Sequence, residues 1–184
     1  EAMGERWFLD LGKDNYNLPN YMSRTSASSG RWTYYRKRAE GQNTLVVKPD
    51  TSGGQAFDAK CQIVSYESAY DGGYAVVDML DAYDNYGVTQ SKRALALFDN
   101  RSRVLIRDEL KIKSSSTVYW FAHTEADISI SADGKTAELT KNGKKLLAQI
   151  AEPSNATFTS MTADPLSTSP ASVSGENSRE GFPK

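Results

Sequence analysis

Ser91-Lys92-Arg93-Ala94-Leu95-Ala96-Leu97-Phe98-Asp99-Asn100-Arg101-Ser102-Arg103-Val104-Leu105-Ile106-Arg107-Asp108-Glu109-Leu110-Lys111-Ile112 is two extended apolar runs on either side of a four-residue polar turn. Asp99 to Ser102 supplies hairpin chemistry, so 91–98 and 103–112 are expected to pair antiparallel. The same grammar recurs outward. Asn142-Gly143 separates 135–140 from 144–151 and is the strongest short hairpin signal in the chain. Residues 73–81 carry Tyr74, Val76 and Val77, and 57–66 alternate Phe57, Ala59, Cys61 and Ile63 against Asp58, Lys60 and Gln62. Asn43–Lys48 is a short apolar run closed by Pro49, Thr117–Thr124 is rich in aromatics, and Arg6–Leu11 alternates Trp7, Leu9 and Leu11 with Arg6, Phe8 and Asp10. No window of a dozen residues has a convincing helical stripe. The expectation is an all-β fold, a large antiparallel β-sandwich of supersandwich type, over residues 1–165. From Pro165 on, Ser, Thr, Pro, Gly and Glu dominate, so 166–184 is expected to be a flexible polar tail or linker, lightly anchored.

The chain's 184 residues suffice for one domain with a real core. A formal net charge of −1 argues against a general nucleic-acid or membrane-surface role. No apolar run approaches a membrane span. Cys61 is the only cysteine, so no intrachain disulfide can form, and it is expected to be a small buried strand residue. Glu1-Ala2-Met3-Gly4 runs straight into strand-like sequence, and the chain reads as a piece of a larger protein.

Candidate chemistry concentrates between residues 4 and 48. Asp10, in Arg6-Trp7-Phe8-Leu9-Asp10-Leu11-Gly12, is a carboxylate among apolar neighbours and needs a cation, a metal or backbone donors; Gly12 makes a turn-capping role the plainer alternative. Tyr34-Tyr35-Arg36-Lys37-Arg38 is expected as one aromatic-basic strand, either a packed edge strand or one that stacks sugar rings and holds carboxylates or sulfates. Gln42 sits at the mouth of a turn, and Asn43 and Thr44 are placed to cap the strand that follows. His123 is the sole histidine, which excludes a metal site built on histidines of this chain alone, and its expected role is a hydrogen-bonded structural one. No Gly-x-Ser-x-Gly elbow, Walker loop or dinucleotide fingerprint is present. Arg107-Asp108-Glu109 reads as structural charge pairing.

As a set, these segments resemble the β-sandwich part of the heparinase II/III-like polysaccharide lyases, and alginate lyases of the same fold. The matching pieces are Gly4-Glu5-Arg6-Trp7 with Asp10-Leu11-Gly12, Asp14-Asn15-Tyr16, Tyr34-Tyr35-Arg36, Arg38 to Leu45, Tyr74 to Asp78, Val104 to Glu109 and Val118 to Thr124. The resemblance implies a parent enzyme in which an N-terminal α-helical toroid carries the catalytic residues and this sandwich closes the cleft. Its activity would be cleavage of a uronic-acid polysaccharide by β-elimination, in the periplasm or outside the cell, with this part not catalytic by itself. The alternative is a carbohydrate-binding or structural module from a lyase-like protein that has lost activity. Substrate contacts are implied for Tyr16, Tyr35 and Arg36. The resemblance also implies zinc in the parent protein, held by a His-x-His-x-Asp segment, by an Asp matching Asp10, and by a histidine just before Asn-Thr. The sequence begins after the place of that first segment, and Gln42 stands where the last histidine is expected. Both departures weigh against zinc in this chain, and Gln42 is expected within hydrogen-bond or one-water reach of Asp10.

Overall fold

The computed structural model describes residues 1–176. It is almost all-β: nine strands form several antiparallel sheets packed together, as in a β-sandwich. The central sheet has four strands in the order β2 (Gln62–Ser68), β3 (Gly73–Asp78), β4 (Val88–Phe98) and β5 (Arg103–Ile112). The β4–β5 hairpin pairs Phe98 with Arg103 and turns through Asp99, Asn100 and Arg101, all at positive φ, as the polar turn predicts. A second sheet joins β7 (Asp127–Ile130), β8 (Thr136–Lys141) and β9 (Lys144–Gln149), with Asn142 and Gly143 at φ 49° and 74° making the tight β8–β9 turn. A two-stranded sheet pairs β1 (Leu45–Val47) with β6 (Val118–Trp120).

The main core lies between β1 and the central sheet, where Leu45, Val47, Ala82, Tyr83 and Val88 are buried against Leu110, Ile112 and Trp120. Ala82 and Tyr83 belong to the one short α-helix among the described residues, α1 (Leu80–Tyr83), which the apolar periodicity does not reveal. The buried Tyr83 hydroxyl donates to the Leu45 carbonyl (2.9 Å) and accepts from the Gln55 amide (2.6 Å), so burial leaves no polar debt there. A smaller core of Trp7, Ala126 and Leu139 ties the amino-terminal segment to the second sheet. The central sheet is less covered at its outer end. Every residue of β2 is exposed, and Leu95, Val104, Leu105 and Ile106 remain open to solvent. No helix among the described residues is long and apolar enough to cross a membrane.

Three expectations are corrected. Residues 6–11 bury Trp7 and Leu11 as their alternation suggests, yet form no strand; the Asx turn at Asp10 and Gly12 at φ +72° break the extended run. The 57–66 strand begins only at Gln62, which leaves Cys61 outside it and exposed. Tyr34–Arg38 is not a strand. It belongs to three successive 3-10 turns, Gly30–Thr33, Tyr35–Lys37 and Ala39–Gly41, that coil the backbone back on itself. Gly41 permits this, because a Cβ there would lie 2.1 Å from the Tyr35 carbonyl oxygen. The end of the chain is a lightly anchored polar tail, as expected. Residues 166–176 have no regular structure, but they are pinned by hydrogen bonds from the Leu166 amide to Glu40 (2.5 Å), from Arg38 to Ser169 (3.2 Å) and from the Tyr35 amide to Glu176 (2.6 Å). Residues 177–184 of the expected tail lie outside the described residues.

Candidate functional site: an aromatic-cationic face beside a polar knot

The polar knot joins three distant stretches. Asn43 donates from its side-chain amide to the Leu9 carbonyl (2.9 Å) and accepts at Oδ1 from the His123 amide (2.7 Å), while the Leu9 amide donates to the His123 carbonyl (2.9 Å). One side chain thus completes a strand-like ladder that 6–11 cannot form alone. Asn43 was expected only to cap the strand after it. The His123 ring is 6% exposed and its Nε2 lies 3.0 Å from the Tyr35 hydroxyl. Burial depresses the histidine to a pKa of about 4, against a smaller opposing pull from the Asp10 charge. Burial likewise pushes the Tyr35 phenol well above its ordinary value. A neutral imidazole beside a phenol that holds its proton is a structural pair, unsuited to proton transfer near neutral pH, and this matches the expected structural role of His123.

Tyr35 and Arg36 do not border a groove. Tyr35 is 2% and Arg36 6% exposed. The 3-10 coil turns them inward, where Arg36 donates to the Leu11 carbonyl (2.7 Å) and the Lys13 carbonyl (3.0 Å). Their expected direct contact with a polysaccharide is therefore replaced by a positioning role: Arg36 fixes the 11–13 loop, and Lys37 adds a bond to the Gly12 carbonyl (3.1 Å). Arg107, Asp108 and Glu109 pair structurally as expected; Asp108 takes a bidentate bond from Arg93 (2.6 and 2.9 Å), and Arg107 meets Glu109 (2.7 Å).

The implied zinc does not fit the residues of this chain. The Asp10 carboxylate accepts from the Gly12 amide (2.5 Å), which is its turn-capping alternative. The Gln42 amide nitrogen donates to the Arg36 carbonyl (2.9 Å), and no hydrogen bond joins Gln42 to Asp10 among the described residues. Zinc needs three or four nitrogen, sulfur or carboxylate donors, and no three His, Cys, Asp or Glu side chains gather among those residues. A thermal unfolding series on this chain should therefore show the same midpoint with equimolar zinc, with no metal and with a chelator. Zinc retained one-to-one through dialysis, with a midpoint raised by several degrees, would refute this.

That leaves Tyr16, which has one cation at its own ring and two more at the ring it packs on. Tyr16 is 57% exposed, with the Lys13 ammonium 5.3 Å from its ring centroid. Its ring packs at 5.6 Å on Tyr21, which packs at 5.5 Å on Tyr34. The Arg31 guanidinium sits 4.8 Å over Tyr21 and the Lys37 ammonium 5.9 Å from it. Arg31 also reaches Trp32, whose ring meets Phe57 at 6.2 Å. Tyr21 and Tyr34 are buried below as a floor, with Tyr34 donating to the Pro19 carbonyl and the Tyr21 hydroxyl accepting from the Asp14 amide (3.0 Å). Between Lys13 and Lys37 the sequence carries five basic residues and one acidic, against a net charge of −1 for the whole chain. Such a face offers ring surfaces for sugar planes, with cations alongside for the charged groups. The resemblance implies Tyr16 but not Lys13, Tyr21 or Arg31. The local charge count across 13–37 was the available signal.

The sequence matches a family model described as heparinase II/III-like, C-terminal, over residues 2–180. No curated protein matches the chain.

Proposed function

The chain belongs to the heparinase II/III-like C-terminal family, and from that premise we propose that it is the β-sandwich portion of a polysaccharide lyase, one that holds a uronic-acid polysaccharide while a separate helical domain performs the elimination. The observation that carries this is the aromatic-cationic face: exposed Tyr16 with Lys13 above it, and Arg31 and Lys37 over the buried tyrosine floor. β-Elimination removes the C5 proton of a uronate, the electron pair forms the C4–C5 double bond, and the C4–O bond breaks with the proton going to the departing oxygen. The step becomes feasible when the carboxylate is neutralised, and cations along the face supply that kind of charge. The Tyr35–His123 pair, by contrast, is tuned away from proton transfer. This part therefore binds and orients; a periplasmic or secreted setting suits such a substrate. The substitution at Gln42 favours a second reading, a carbohydrate-binding module from a lyase-like protein without activity. That reading uses the same face and differs in what the rest of the parent protein does.

Calorimetric titration of the chain with a short oligomannuronate and with a heparin-derived oligosaccharide tests the proposal. Tyr16→Ala should weaken binding of the preferred glycan about five- to tenfold, by loss of the ring face and its cation–π partner. Lys13→Ala should also weaken it and flatten its dependence on salt, because one screened contact is gone. Affinity unchanged in both variants would overturn the assignment of this face.

A further inference from the structure

We infer that residues 171–176 are a displaceable latch over this face, and that the Glu176 carboxylate holds a place which a polyanionic glycan takes when it binds. The inference rests on reading the 13–37 face as glycan-binding. Glu176 is half-buried, and its Oε1 accepts the Tyr35 amide (2.6 Å) while Oε2 accepts the Val173 amide (3.1 Å). The Glu176 amide returns a bond to the Val173 carbonyl (3.1 Å), closing a small loop that presents the carboxylate. Gly175 makes the turn at φ +86° and lies against Leu18, at the edge of the tyrosine floor. Glu176 is near enough to Tyr34 for its charge to help raise that phenol, after burial as the larger cause. An internal carboxylate thus docks at a main-chain donor at the edge of the tyrosine floor.

The strap is held unevenly, which is what a latch requires. Its first part is locked: the Leu166 amide donates to the buried Glu40, and buried Arg38 donates to Ser169. Residues 171–175 are exposed, and Glu176 is their fixing point on the domain. Among the described residues, the charge-assisted hydrogen bond that lifting them breaks is the one from the Tyr35 amide to Glu176. A polyanion pairing with Lys13, Arg31 and Lys37 along the floor competes at its edge with Glu176, and the freed Tyr35 amide becomes a donor for a glycan carboxylate. This also accounts for a buried Tyr35 inside a segment rich in sugar-binding residue types.

Amide hydrogen exchange and oligomannuronate titration on the full chain test the latch together. In Glu176→Ala, exchange at the Tyr35 amide should accelerate about tenfold with other core amides unchanged, as expected for losing a bond to a charged acceptor. The same variant should bind oligomannuronate several-fold more tightly. Glu176→Gln, which keeps the acceptor and removes the charge, should retain Tyr35 protection and still bind more tightly than the parent chain. Saturating ligand should accelerate exchange at Val173 in the unmodified chain. Unchanged Tyr35 exchange in Glu176→Ala, or affinity equal to or weaker than the parent's, overturns the latch alone. No oligouronate binding in any form overturns the glycan-binding reading and the latch with it.

Discussion

Glu40→Ala should destabilise the domain by about 3–5 kcal/mol, enough to unfold a large share of the molecules at physiological temperature. Glu40 and Arg38 are 1% and 2% exposed and form an ion pair at 3.5 Å. Burial already lowers the Arg38 pKa, against the opposing charge of Glu40. Removing the carboxylate strands a guanidinium whose Nη1 has no hydrogen-bond partner among the described residues, and it also orphans the Leu166 amide. Two charges taken out of water together cost far less than one left alone, so the double variant Arg38→Met/Glu40→Leu should recover most of the loss. Urea denaturation of the four-member cycle reads this directly. A Glu40→Ala loss below about 1 kcal/mol would mean that the pair is hydrated in solution.

Acid should weaken the fold through His123. Its folded pKa is about 4, depressed from 6.5 by burial. Above the unfolded value neither state is protonated and the contribution is whole. As pH falls from 6.5 towards 4 the unfolded chain takes up a proton that the folded chain refuses, so stability drains across that window, by about 3 kcal/mol in all. Carboxylates add their own acid sensitivity, so the diagnostic is a difference. His123→Asn should be less stable at pH 7, having lost the bond to Tyr35, yet show a shallower decline between pH 6.5 and 4. Parallel stability curves for the two proteins would show that His123 titrates normally in the folded state.

The hairpins were legible because their information is local. Asp99-Asn100-Arg101-Ser102 and Asn142-Gly143 specify turns by φ preferences that need no tertiary partner, and the alternation beside them sets the register. Residues 34–38 read as a strand because Tyr34-Tyr35-Arg36-Lys37-Arg38 has the composition of an edge strand, while the conformation depends on Gly41 nesting against the Tyr35 carbonyl and on partners from elsewhere. Burial of Glu40 could not be anticipated either, since its donor comes from Leu166, 126 residues away. Tyr16 came only from the resemblance, and the cations of its face were not anticipated, because Arg31 reaches Tyr21 only after the 20–30 loop has folded back.

The Asn43 brace has a consequence in time. Its amide spans 34 residues back to Leu9 and 80 forward to His123. During synthesis residues 1–44 emerge with little ladder of their own, and their docking partner at residue 123 is made much later. The central hairpins, whose contacts are near neighbours in sequence, assemble first, and the amino-terminal segment wraps onto them afterwards. The strap closes last, since Leu166, Ser169 and Glu176 leave the ribosome after everything they fasten. The part of this domain that carries the aromatic-cationic face is thus made before the sheets it docks on and is among the last to settle.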